Sequence, residues 1–278
     1  MNHLRFLAWS ALMAKSMLAT ASPATSNSGT LEVDLIFPRN ETYSPEGLMP
    51  IVFAVRNPVL TQVASAGITW SLWEGDNLTS PGSMTDAFLP LMPWDDQVNS
   101  TSSEPSFITR LINTTLYPDG IWTFSWTLAL YNCSAHWQDP DTNLIVANNN
   151  ITFTVSKSGQ APDLVAATSS EACGATVGYA YDIRGSRGMC ALIGPNVTAN
   201  PCSVSINSST AASIMADATA FACSPLGFEY EPNVTCPIKG KKSSNAAGLS
   251  PMAAAAVAAA GWTWLSLLTL VTALNYLG

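Results

Sequence analysis

Few side chains in this 278-residue chain can move a proton or act as a nucleophile. Of its two histidines, His3 falls in an apolar leader, which leaves His136. A Ser-His-Asp or Cys-His centre would need that imidazole as its base. His136 lies in CSAHWQDPD, between Cys133 and Asp139, and reads as a loop histidine. Carboxylates are the other route. Asp95 and Asp96 follow Trp94, and Asp139 and Asp141 follow Trp137. A glycosidase needs two carboxyls about 5 to 10 Å apart with an aromatic ring against the sugar. Adjacent residues of an extended chain point to opposite sides, so Asp95 and Asp96 make a poor pair. These acids read as turn residues. The expectation is no catalytic residue, no cofactor and no metal.

Tryptophan carries more information. Trp70, Trp122 and Trp126 have the spacing of core residues. Trp73, Trp94 and Trp137 stand among Gly, Asp and Pro near strand ends or loops. An exposed indole there could stack on a sugar ring, so these three are the candidate sugar-stacking residues. Arg184-Gly185-Ser186-Arg187-Gly188 reads as a basic loop, and no phosphate-cradling glycine motif occurs.

Six cysteines, Cys133, Cys173, Cys190, Cys202, Cys223 and Cys236, form an even set that reads as disulfides in a secreted chain. Five lie in the last third and cannot pair among themselves. Full oxidation therefore requires Cys133 to bridge from the first region into the second. No C-x-x-C is present to suggest zinc. Nine N-x-Ser/Thr triplets begin at Asn40, Asn77, Asn99, Asn113, Asn132, Asn150, Asn196, Asn207 and Asn233. Each used acceptor must be exposed, so they sketch the surface. The Asn132 triplet contains Cys133, whose disulfide competes with attachment.

The elements that would hold these residues are mostly strands. Leu31, Val33, Leu35 and Phe37 alternate with Glu32 and Asp34. Further strand patterns cover 50–57, 68–72, 105–113, 121–131 and 150–156. Trp122, Phe124, Trp126, Leu128 and Leu130 share one face. Such spacing predicts a mainly β fold over 31–156, an immunoglobulin-like or fibronectin-like antiparallel sandwich. Residues 157–170 read as a linker. Residues 171–236 read as a small disulfide-rich region tied to the sandwich, with one helix over Ser208–Ala222.

The ends carry an address. Residues 1–21 read as a signal peptide cleaved after Ala21, followed by a loose segment at 22–30. Residues 237–245 read as a stalk and 246–278 as a removable propeptide. A small-residue tract, a short spacer and an apolar tail match a glycosylphosphatidylinositol (GPI) attachment signal. Asn245 is the expected attachment residue, with Ser244 and Ser243 as alternatives. Removing Arg5 and Lys15 from the 11 basic residues leaves nine against 19 acids. That balance argues against a nucleic-acid partner.

The segments LEVDLIFPRNETY (31–43), PIVFAVRNP (50–58) and GIWTFSWTL (120–128) resemble a family of secreted, often lipid-anchored fungal proteins known as a domain of unknown function, number 7136. The resemblance implies a fungal extracellular protein and supplies no catalytic residues. The expectation is an anchored, N-glycosylated protein of the cell surface or wall, structural or interacting in role. Its partners would be the outer-leaflet lipid anchor and wall polysaccharide. An extracellular carbohydrate-binding module using the loop tryptophans is the alternative, and a carbohydrate-active hydrolase a third reading.

Overall fold

Alternation along Leu31–Phe37 places an apolar row on one side of a strand, and similar rows build β4 and β7. The computed structural model describes residues 28–91, 104–133, 143–187, 190–227 and 233–237. Its strands are β1 (Gly29–Phe37), β2 (Thr42–Tyr43), β3 (Met49–Arg56), β4 (Gly67–Glu74) and β5 (Met84–Pro90), then β6 (Ser106–Ile112), β7 (Gly120–Asn132), β8 (Asn143–Val155), β9 (Val177–Arg187) and β10 (Cys190–Val197). The helices are α1 (Val59–Val63), α2 (Leu164–Ala167) and α3 (Ser208–Ala222). The fold is mainly β, as the alternation predicts.

Pairing sorts the strands into two layers. One runs β6-β3-β1-β9-β10, the other β5-β4-β7-β8-β2. The layers meet in pairing at one parallel contact, Ala191 of β10 beside Asn132 of β7. The Cys133–Cys190 disulfide follows directly, with Cα atoms 5.3 Å apart, and the Cys133 amide donates to the Ala191 carbonyl at 2.7 Å. The bridge demanded by cysteine parity therefore locks the corner between the sheets. Cys173–Cys202 and Cys223–Cys236 complete the set.

Between the layers, Phe53 of β3 meets Trp126 of β7 edge-on, with centroids 5.3 Å apart, and Tyr179 of β9 meets the same indole at 5.3 Å. Trp122 and Trp126 are fully buried and Trp70 is 5% exposed, as their spacing predicts. Trp122 stacks on Tyr117 at 4.1 Å. Burying such large rings supplies much of the drive to hold the two sheets face to face.

The last third departs from the sequence reading. It contributes two long strands, β9 and β10, and β9 pairs along β1 from Gly29↔Ile183 to Leu35↔Val177. Gly178, Gly185 and Pro195 mask their periodicity, and sheet pairing overrides those turn signals. Arg184 to Arg187 is accordingly strand, not loop: Ser186 pairs with Ala191 and Gly185 with Leu192. The 157–170 stretch is also more than a connector. Asp163 caps α2 by accepting from the Val165 and Ala166 amides, and Leu164 and Ala167 are buried. Helix α3 spans the predicted residues, capped by Asn207 and buried along Ile214, Ala218 and Ala222.

Candidate functional site

The sandwich geometry turns every second residue of β4, β7 and β8 outward; the middle of this face is polar, whereas Ile121 stands at one end and Tyr131, Leu144 and Val146 at the other. Across the strands, Thr69 faces Thr127, which faces Asn148; Ser71 faces Ser125, then Asn150; Trp73 faces Thr123, then Thr152. Strand β5 extends the face with Asp86, whose backbone amide donates to Ser71 Oγ at 3.0 Å. Thr127 Oγ1 donates to Asn148 Oδ1 at 2.6 Å. A shallow trough of about 580 Å³ runs along this surface, lined among others by Ser71, Trp73, Asp76, Leu78 and Asp86. Among the described residues, no lysine or arginine lines it.

Those groups set what the trough can hold. Hydroxyls and amides both donate and accept, carboxylates accept, and a half-buried indole offers a flat apolar surface. A neutral polyhydroxyl ring satisfies all of them at once. A phosphate or sulfate would meet Asp76 and Asp86 with no compensating cation among the lining residues. Trp73, predicted near a strand end, stands one residue before the end of β4, on the sheet face. Trp94 and Trp137 lie outside the described residues, as do His136, Asp95, Asp96, Asp139 and Asp141. Outside them too lie the leader, the expected attachment residues Asn245, Ser244 and Ser243, and Asn99. Among the described residues no group of three His, Cys, Asp or Glu could hold a metal. No helix among them is long and apolar enough to cross a membrane.

The remaining acceptor asparagines divide by exposure. Asn40, Asn77, Asn150, Asn196, Asn207 and Asn233 are exposed, whereas Asn132 is half-buried. Asn132 Oδ1 accepts from the Ile193 amide at 3.1 Å. Asn113 departs from the sequence expectation, because it is 6% exposed. Its Nδ2 donates to the Asn233 carbonyl at 2.7 Å and to Thr235 Oγ1 at 3.1 Å, and its Oδ1 accepts from the Thr115 amide. In this fold its side chain clamps the Cys223–Cys236 segment.

Beneath the helices, on the outer side of β1, lies a cluster that sequence reasoning did not single out. Glu32 and Asp34 sit two residues apart on one strand and are buried, at 2% and 0% exposure. Glu32 pairs with Arg56 of β3 and accepts from the Asn200 amide at 2.7 Å; Arg56 donates to Ser203. Neither oxygen of Asp34 has a partner when it is ionised. Burial, then the Glu32 charge, raises the Asp34 pKa from 3.8 to about 8, against the opposing pull of Arg56. A protonated Asp34 can instead donate to Glu32. Gly178 lies directly across from Asp34, and a Cβ there would come within 1.8 Å of Oδ1. Alternating acids in β1 were the only sequence signal; their burial depends on the helices that cover them.

A family model described as a domain of unknown function (DUF7136) matches residues 26–236. The chain belongs to this family. The match runs from just before β1 to Cys236 and so covers both sheets, the helices and all six cysteines of this chain. No curated protein matches the chain. No solved structure matches it.

Proposed function

We propose that this DUF7136 protein is an extracellular, lipid-anchored and N-glycosylated interaction module of a fungal cell surface or wall, without catalytic activity, which engages neutral carbohydrate through the outer face of β4, β5, β7 and β8. The observation that carries the reading is the trough, where rows of Ser, Thr and Asn flank the half-buried Trp73 in the absence of any lining cation. Hydroxyl-rich rows can share hydrogen bonds with sugar hydroxyls, and the indole takes the apolar face of a pyranose. Three disulfides and six exposed acceptor triplets fit the oxidising secretory route, and the small-residue tract before an apolar tail fits lipid attachment.

The test has two arms. Phosphatidylinositol-specific phospholipase should release the full chain from membranes into solution, and retention after treatment would remove the anchor from the reading. Released protein, enzymatically stripped of its N-glycans and screened on a glycan array beside a Trp73→Ala variant treated alike, should bind neutral glycans at least tenfold better than the variant. Equal signals would remove carbohydrate from the reading and leave a scaffold.

A further inference from the structure

Asn150 opens one of the exposed acceptor triplets and projects from the trough-bearing face itself. It sits opposite Ser125 of β7, which sits opposite Ser71 of β4. Thr152, the hydroxyl the triplet requires, lies one rung along, level with Thr123 and Trp73. Asn150 and Trp73 are thus separated by two inter-strand spacings and one rung. With strands about 4.8 Å apart and a rise near 3.4 Å per residue, their backbones stand about 12 Å apart. An asparagine side chain bearing two N-acetylglucosamine rings spans that gap across Ser125 and Thr123.

We propose that the N-glycan on Asn150 folds back over the sheet and lays its first two N-acetylglucosamine rings against Trp73, occupying the trough. The inference rests on the sugar-binding reading of this face and adds what regulates it. The rings are neutral, as the cation-free trough with Asp76 and Asp86 requires, and their hydroxyls and acetamido groups meet the Ser and Thr rows. A tethered sugar also competes at an effective concentration in the millimolar range, above what a weak free glycan reaches. Attachment is the transfer common to the secretory pathway. The Asn150 amide nitrogen bonds to the anomeric carbon, the polyprenyl diphosphate carrier leaves, and one amide proton passes to a base of the transferase.

The experiment uses the full chain made in a glycosylating host with carbon-13 in the N-acetyl methyls. Glycopeptide mass spectrometry reads occupancy, and proton–carbon spectra read ring-current shifts. Wild type should show Asn150 occupied and an upfield acetyl signal that disappears in Asn150→Gln. Trp73→Ala should return that signal to the solvent position, while Trp73→Phe, which retains a ring, should keep part of the shift. Asn150→Gln should bind insoluble β-glucan or chitin at least tenfold more tightly than the occupied protein. An empty Asn150, acetyl signals all at solvent positions, or measurable and equal polysaccharide binding by both proteins would overturn the inference. A shifted signal with no polysaccharide binding by Asn150→Gln would support the glycan contact and retire the external carbohydrate reading.

Discussion

Replacing Asp34 by Asn should make the protein more stable at pH 8 to 9 and flatten its pH dependence. Asp34 is sealed beneath the helices, its ionised form has no donor, and its pKa stands at about 8 against 3.8 when free. The folded state therefore holds this proton more tightly than the unfolded state does. The associated stability is complete below about pH 4 and is lost as pH rises through about 8. At 1.36 kcal/mol per pKa unit, four units set a ceiling of about 6 kcal/mol, of which relaxation around the charge leaves a few. Asn cannot ionise, and its amide can still donate to Glu32. Urea midpoints of both proteins, measured from pH 4 to 9, provide the assay. With a urea slope of about 1–3 kcal/mol/M, the variant should gain on wild type by about 1 M at the alkaline end. A difference between the two that does not change with pH would refute the argument, because a group that never titrates cannot tilt it.

The same contact makes Gly178→Ala destabilising, since its Cβ would strike Asp34 Oδ1; thermal melts should show a loss of about 1–3 kcal/mol, largely relieved in the Asp34→Ala, Gly178→Ala double variant. Glycopeptide mapping of folded, secreted protein should find Asn113 bare, and Asn113→Ala should raise proteolytic cleavage near residues 233–236 by removing the two bonds that hold them. Cys133→Ser should expose a free thiol at Cys190 and cost about 4 kcal/mol for a bridge closing a 57-residue separation, read as poor secretion.

What the sequence disclosed, and what it hid, divides along a physical line. Strands with large apolar residues on every second position, such as β7, announce themselves, because one row must leave water. Helix α3 was legible from the stripe through Ile214 and Ala218. Strand β5 was hidden because its short run, Met84 to Pro90, is an edge that buries only Leu89, with Asp86 at positive φ. β9 and β10 were hidden because their glycines and Pro195 carry turn signals, and only their long-range partners hold them extended. The parity of the cysteines did reveal that Cys133 reaches the last third. Trp73 could be named as a stacking candidate, but the rows around it arise only when β4, β7 and β8 come into register. Asn113 shows the converse: its triplet reads as surface, and tertiary hydrogen bonds withdraw it.

One consequence follows from the neighbour of the first strand. Gly29–Leu35 takes its partner from Val177–Ile183, about 150 residues further along the chain. While the chain is being synthesised, that flank of β1 has nothing to zip to until the ninth strand emerges. Completion of the sheet is therefore postponed to the end of synthesis. Sugars at Asn40 and Asn77 would be transferred onto an unfinished molecule, and the cystine at the sheet corner would close among the last events. A truncation before residue 177 would leave a sticky edge, not a smaller working domain.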